Sequence, residues 1–98
     1  MGPFAAREVA AALIRKGFEK RENDHTFFHL KYRGKDVGIS TKISHGEREI
    51  RIGLVKRMRG QMMLATNADF GRFVECSLTY EAYIEMLKTQ GIIQADPA

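Results

Sequence analysis

A single cysteine, Cys76, is the first scarcity in this ninety-eight-residue chain. Alone it closes no internal disulfide, and without a CxxC neighbour it offers no zinc spacing, so it reads as a buried apolar thiol. Long hydrophobic runs are equally missing. No segment approaches the roughly 18 apolar residues needed to span a bilayer, which excludes a membrane-spanning helix and a membrane partner. Arg7 and Glu8 interrupt the apolar stretch from Phe4 to Ile14, so no secretory leader is expected, and Ala6 stands where an N-myristoylation signal needs Ser or Thr. The expectation is a cytoplasmic protein. No glycine-rich phosphate loop precedes a helix, no nucleophile elbow is present, and no carboxylate has a recognised metal spacing. Neither a cofactor nor a metal is expected, and no repeat, low-complexity tract or linker divides the chain.

What remains is one domain with one modest core, since a chain of this length buries only about 60–65% of the surface its unfolded form exposes. Hydrophobic residues make up 44% and charged residues 29%, the proportions of an ordinary globular protein. Charge is unevenly placed. The first sixty residues carry 14 Lys or Arg against 7 Asp or Glu, whereas the rest carry 2 against 5. A basic surface confined to one part of the chain attracts polyanions, nucleic acid foremost, with a plain solvated lysine-rich face as the alternative.

Periodicity predicts a helix from Ala5 to Lys16, built from strong helix-forming alanines with Val9 and Leu13 on one side and ended by Gly17. The period then changes to that of strands: Phe18 to Arg21, a turn at "END", His25 to Tyr32, a loop "RGKD", and Val37 to Ile43. A second helix follows "SHGERE", with Ile52, Val55, Met58 or Arg59, and Met62 on one face and Ser44 or Gly46 as its cap. A short helical turn is expected around Asp69 to Val74, entered through Thr66 and Asn67. Thr79 then caps a third helix, Tyr80 to Gln90, closed by Gly91, before a frayed tail "IIQADPA".

Alternation in the second strand places Thr26, Phe28, Leu30 and Tyr32 on one face and His25, Phe27, His29 and Lys31 on the other. A four-residue loop from Arg33 to Asp36 would pair Tyr32 with Val37, Leu30 with Ile39, Phe28 with Thr41 and Thr26 with Ile43. One step further sets His25 opposite Ser44, with His45 next, so two histidines twenty residues apart meet at one end of the sheet. His29 lies about 13 Å from His25 at roughly 3.3 Å per residue, too far to share a metal ion.

A histidine beside basic residues can act as acid or base in cleavage of a phosphodiester by the neighbouring ribose hydroxyl, a role worth about 10²–10⁴ in rate. That chemistry needs RNA and no metal. Lys42, opposite Phe27, together with Arg48, Arg51 and Lys56 can neutralise phosphates, and Phe27 can stack on a base. The plain structural alternatives are that His25 ends a turn, His45 caps a helix and the C-terminal segment covers Phe27.

Two segments carry a family resemblance. "REVAAALIRKGFEKRENDHTFFHL" resembles the opening of the HicA-type toxins, where a helix ending in lysine, glycine and an aromatic leads through a strand and a Gly-Ser-His turn to an apolar strand. "TKISHGEREIRIGLVKRMRGQMML", followed by Cys76-Ser77-Leu78, looks like the longer members of that family; together the match runs from Ala5 to about Leu87. The resemblance implies an α+β fold, double-stranded-RNA-binding-domain-like, α-β-β-β-α with a three-stranded antiparallel sheet and an extra C-terminal helix. As domain organisation this is a single domain over 1–98, with a HicA-like core at 5–64 and a C-terminal helical extension at 65–98. The resemblance further implies a toxin–antitoxin system in which the chain is a metal-independent endoribonuclease, an mRNA interferase and hence a hydrolase, restrained by a HicB-type antitoxin. The family's catalytic histidine falls on His25, with Asn23-Asp24 standing where the family has Gly-Ser and adding a carboxylate beside it.

On these grounds His25 and His45 are the expected catalytic residues and Phe27, Lys42, Arg48, Arg51 and Lys56 the expected RNA contacts. Two other readings use the same surface: a non-catalytic RNA-binding module, and a protein-interaction module. The extra C-terminal helix is a candidate cover for the sheet, homodimer contact or partner site.

Overall fold

The run AREVAAALIR folds as α1, Ala6–Arg15, because alanine loses no side-chain entropy in a helix and Ala6, Val9, Ala12 and Leu13 recur on one buried face. In the computed structural model, which describes residues 3–75 and 77–94, two residues ahead of that helix form a short strand, β1, Phe4–Ala5. Cys76, expected to be a buried thiol, and the last four residues of the tail lie outside the described residues.

Gly17 ends α1 with φ +86°, a left-handed conformation that a Cβ opposes. It also faces the Tyr80 ring so closely that an added Cβ would sit 2.5 Å from Tyr80 Cε1. The chain turns there into β2, Phe18–Glu22, then β3, His25–Tyr32, and β4, Lys35–Ser44, which form an antiparallel sheet in the order β2-β3-β4. A further strand, β5, Glu49–Ile50, pairs with β1 through Phe4↔Ile50 and Ala5↔Glu49. Helices α2, Ile52–Gln61, α3, Asn67–Val74, and α4, Tyr80–Thr89, complete the order. The fold is therefore α+β, with a three-stranded antiparallel sheet and four helices among the described residues.

Three expectations are corrected. The β3–β4 loop has two residues, Arg33 and Gly34, both at positive φ (54° and 77°), so Tyr32 pairs with Lys35 and not with Val37. Positive φ at both central positions matches the right-handed twist of the flanking strands. The two residues gained by β4 at the tip are taken up by an irregularity between His29 and Lys31, where Asp36 Oδ1 accepts the Gly38 amide at 2.9 Å, and the pairs Phe28↔Thr41, Thr26↔Ile43 and His25↔Ser44 stand as expected. Second, neither Ser44 nor Gly46 caps α2. The N-cap is Arg51, which makes no side-chain capping bond to the described first turn, because Glu49 and Ile50 are still extended against β1. Ile50 is fully buried there, and Ile52, expected in the core, is 55% exposed. Third, the tail does not fray at once: Ile92 and Ile93 donate amides to the Leu87 carbonyl (2.9 and 3.3 Å), and Ile93 joins the core.

The sheet buries one face. Phe18, Phe28, Leu30, Ile39, Thr41 and Ile43 are all buried against the helices. Phe18 meets the rings of Phe73 (6.1 Å) and Tyr83 (6.2 Å), and Tyr83 donates its hydroxyl to the Met62 carbonyl at 2.6 Å. Burial pushes the Tyr83 phenol well above its ordinary value. Lys16, only 4% exposed, lays its ammonium 4.5 Å from the Phe73 ring centre and donates to the Phe73 carbonyl, one of the last-turn carbonyls of α3. The last helices thus share one hydrophobic cluster with α1 and the sheet.

Candidate functional site

The other sheet face carries His25 and His29. Asn23 donates its amide to the His25 carbonyl (3.0 Å), which closes the β2–β3 turn and starts β3 at His25. Strand alternation then sends His25, Phe27, His29 and Lys31 away from the core. The rings form a ladder: His25 to Phe27 and Phe27 to His29 are each 6.3 Å between centroids, the second pair at 25° between planes. Each ring is partly exposed.

Register supplies the flanks. Phe27 lies between Arg21 of β2 and Lys42 of β4, His29 between Glu19 and Ser40, and His25 beside Ser44. Arg21 Nε donates to Glu19 Oε1 at 2.8 Å, and that hydrogen bond holds the Glu19 carboxyl below its ordinary range. His29 Nδ1 lies 3.6 Å from Asp36 Oδ2, and the Asp36 carboxyl is also lowered, first by the Gly38 amide.

His25 and His45 are brought together along the backbone, since His45 directly follows the residue paired with His25. Their side chains take different partners, His25 against Phe27 on the outer face and His45 against Glu22, which accepts a hydrogen bond from Thr26 of the set that shares the core-facing side. His25 stands edge-on to Phe27, and its enclosed Nδ1 has no hydrogen-bond partner among the described residues. His45 Nε2 lies 3.2 Å from Glu22 Oε2, a carboxylate that also accepts Thr26 Oγ1 (3.2 Å) and meets Lys20 Nζ (3.3 Å). The Lys20 hydrogen bond, with help from Thr26 and His45, keeps Glu22 below the ordinary carboxylate range.

The expected cations divide between two depressions. Lys42 and Ser44 line a cleft of about 240 Å3 with Glu47, Leu54 and Arg57. Arg48 and Arg51 line a neighbouring, more open one of about 640 Å3, where Arg51 is held by Glu49 at 3.0 Å. Lys56 is exposed on α2 and lines neither. Sequence reasoning missed Arg21 and Arg57. Arg21 was legible by carrying the β2–β3 pairing through "END" to its partner Phe27; Arg57 shares a helix face with Leu54, three residues earlier, and only the docking of α2 beside β4 reveals that this face borders Lys42.

Among the described residues no three His, Cys, Asp or Glu side chains gather to hold a metal ion, and no helix is long and apolar enough to cross a membrane. No protein-family model matches the chain, and neither a curated protein nor a solved structure matches it.

Proposed function

We propose that this chain is a HicA-like endoribonuclease, double-stranded-RNA-binding-domain-like in topology, that cleaves mRNA without a metal and is restrained by a HicB-type antitoxin. The observation that carries the reading is the pairing of His25 with Ser44. It joins the two segments that resemble the toxin family at one end of the sheet, beside Lys42, Arg57 and the Arg48–Arg51 loop.

The chemistry follows from those groups. With Nδ1 enclosed, His25 offers Nε2 to take the proton of a ribose 2′-hydroxyl. The 2′-oxygen forms a bond to the adjacent phosphorus as the bond from phosphorus to O5′ breaks. His45, held by Glu22 through Nε2 at the same end of the sheet, is the proposed donor of the proton to O5′. The products are a 2′,3′-cyclic phosphate and a 5′-hydroxyl; Lys42 stabilises the charge on phosphorus oxygens, and Arg48, Arg51 and Lys56 meet phosphates further along the strand.

The test is cleavage of a defined RNA by the purified protein with a chelator present. Cleavage leaving cyclic phosphate ends, abolished in His25→Ala and reduced in His45→Ala by about 10²-fold or more, is the expected result. Full activity in folded His25→Ala protein overturns it. A second reading, a non-catalytic RNA-binding module, is favoured by the close approach of the His25 and Phe27 rings, which makes the imidazole part of a contact surface.

A further inference from the structure

We infer that the open sheet face selects single-stranded RNA, with splayed bases stacked on the His25–Phe27–His29 ladder and the phosphates following the cations on either side. The inference rests on the reading of RNA as ligand and adds what form of RNA the site accepts.

Three observations carry it. The rings are spaced by 6.3 Å along β3. Stacked bases in a nucleic acid helix are about 3.4 Å apart along one strand. Only a strand whose bases are pulled apart can engage successive rings, and a duplex, whose base faces are covered by their neighbours, presents none. Next, Phe27 has a cation on either side in register, Arg21, which Glu19 engages, and Lys42, and Arg57 extends the Lys42 side beyond the β4 edge. Bases in the middle with phosphates at the margins is the arrangement an extended strand requires. Finally, the helices are committed to the opposite face, where Phe18, Phe28 and Leu30 are sealed against α3 and α4 and the rest of the core. Among the described residues the helices therefore leave the ladder partly exposed on a rigid support. Glu19 and Asp36 on the same face engage Arg21, His29 and Lys31, so the cationic character of the face rests chiefly on Lys42 and Arg57 along the β4 side.

The experiment is fluorescence anisotropy with a labelled twelve-nucleotide 2′-O-methyl RNA, which lacks the attacking hydroxyl and is not cleaved, against the same strand annealed to its complement, at one fixed salt concentration. The single strand is expected to bind about tenfold tighter or more than the duplex. Phe27→Ala is expected to weaken the single strand about tenfold and leave the duplex unchanged, while Phe27→Tyr restores binding. Equal or tighter duplex binding, or an unaltered affinity in Phe27→Ala, overturns the inference. So does absence of binding, and if Phe27→Ala then also changes the self-association seen by sedimentation, the face belongs to a protein contact. Because the probe cannot be cut, binding without nuclease activity on ordinary RNA sinks the catalytic reading alone, and cleavage with duplex preference sinks this one alone.

Discussion

The two faces of the sheet are built from the same strand and carry similar residue types, yet they do different work. On β3, Phe28 and Leu30 are fully buried and lie under the helices, whereas Phe27, one residue away, stands partly exposed between two histidines and two cations. A phenylalanine on the inner face is explained by the surface it removes from water. On the outer face that explanation is only partly available, and the neighbours of the ring, imidazole on each side and a cation across each strand, supply the rest. Aromatic content alone therefore does not separate core from contact surface; the cross-strand partners do.

The sharpest way to break this comparison is to truncate one ring on each face. Phe28→Ala is expected to cost about 3–5 kcal/mol in urea denaturation, because it opens a cavity at a fully buried site. Phe27→Ala is expected to cost less than about 1 kcal/mol. Equal losses would mean that the outer ring is also structural.

A middling effect tests how the inner face stays closed. Gly17→Ala is expected to destabilise by about 1–3 kcal/mol, since alanine at φ +86° is strained and its Cβ displaces the Tyr80 ring. Tyr80 donates its hydroxyl to the Lys31 carbonyl at 3.2 Å, so the displacement also frees β3 from α4. Adding Tyr80→Ala should leave a second loss smaller than Tyr80→Ala causes alone, because the clash is then gone.

The smallest effect belongs to the outer-face and turn carboxylates. Glu19, Glu22 and Asp36 are each held below their ordinary values by hydrogen bonds from Arg21, Lys20 and the Gly38 amide. Their folded values are lower than their unfolded ones, so the stability they contribute is present above the ordinary carboxylate range, near pH 4, and declines as pH falls through it. All three are solvent-exposed, which keeps the change small. A denaturation midpoint that falls between pH 6 and pH 3, less steeply in Glu22→Gln, is the expected outcome.

Much of this arrangement was legible in the residues. Strand alternation in "HTFFHLKY" separates the two faces without coordinates, and Thr66 and Thr79 mark their helices because each accepts an amide of the first turn, Asp69 N and Ala82 N, at 3.1 Å. The pairing at the base of the hairpin came out correctly for an instructive reason: a loop read two residues too long is offset by the irregularity opposite Leu30. Arg33 at positive φ gave no sign of the short turn, because arginine is not a residue that favours that region. The β1–β5 pair was invisible since two-residue strands are too short to alternate. Site residues such as Arg57 depend on where one element docks on another, which no local pattern encodes.

The same small pair has a bearing on how the basic loop between β4 and α2 meets a ligand. Glu47 donates its amide to the Ser44 carbonyl (3.1 Å), Ala6 donates to the Arg48 carbonyl (2.9 Å), and β1 runs alongside Glu49 and Ile50. The backbone carrying Arg48 and Arg51 is thus fastened before any polyanion arrives. Its conformational entropy is surrendered during folding, so the attraction between these guanidinium groups and a phosphate goes into affinity and little of it is spent on ordering the loop.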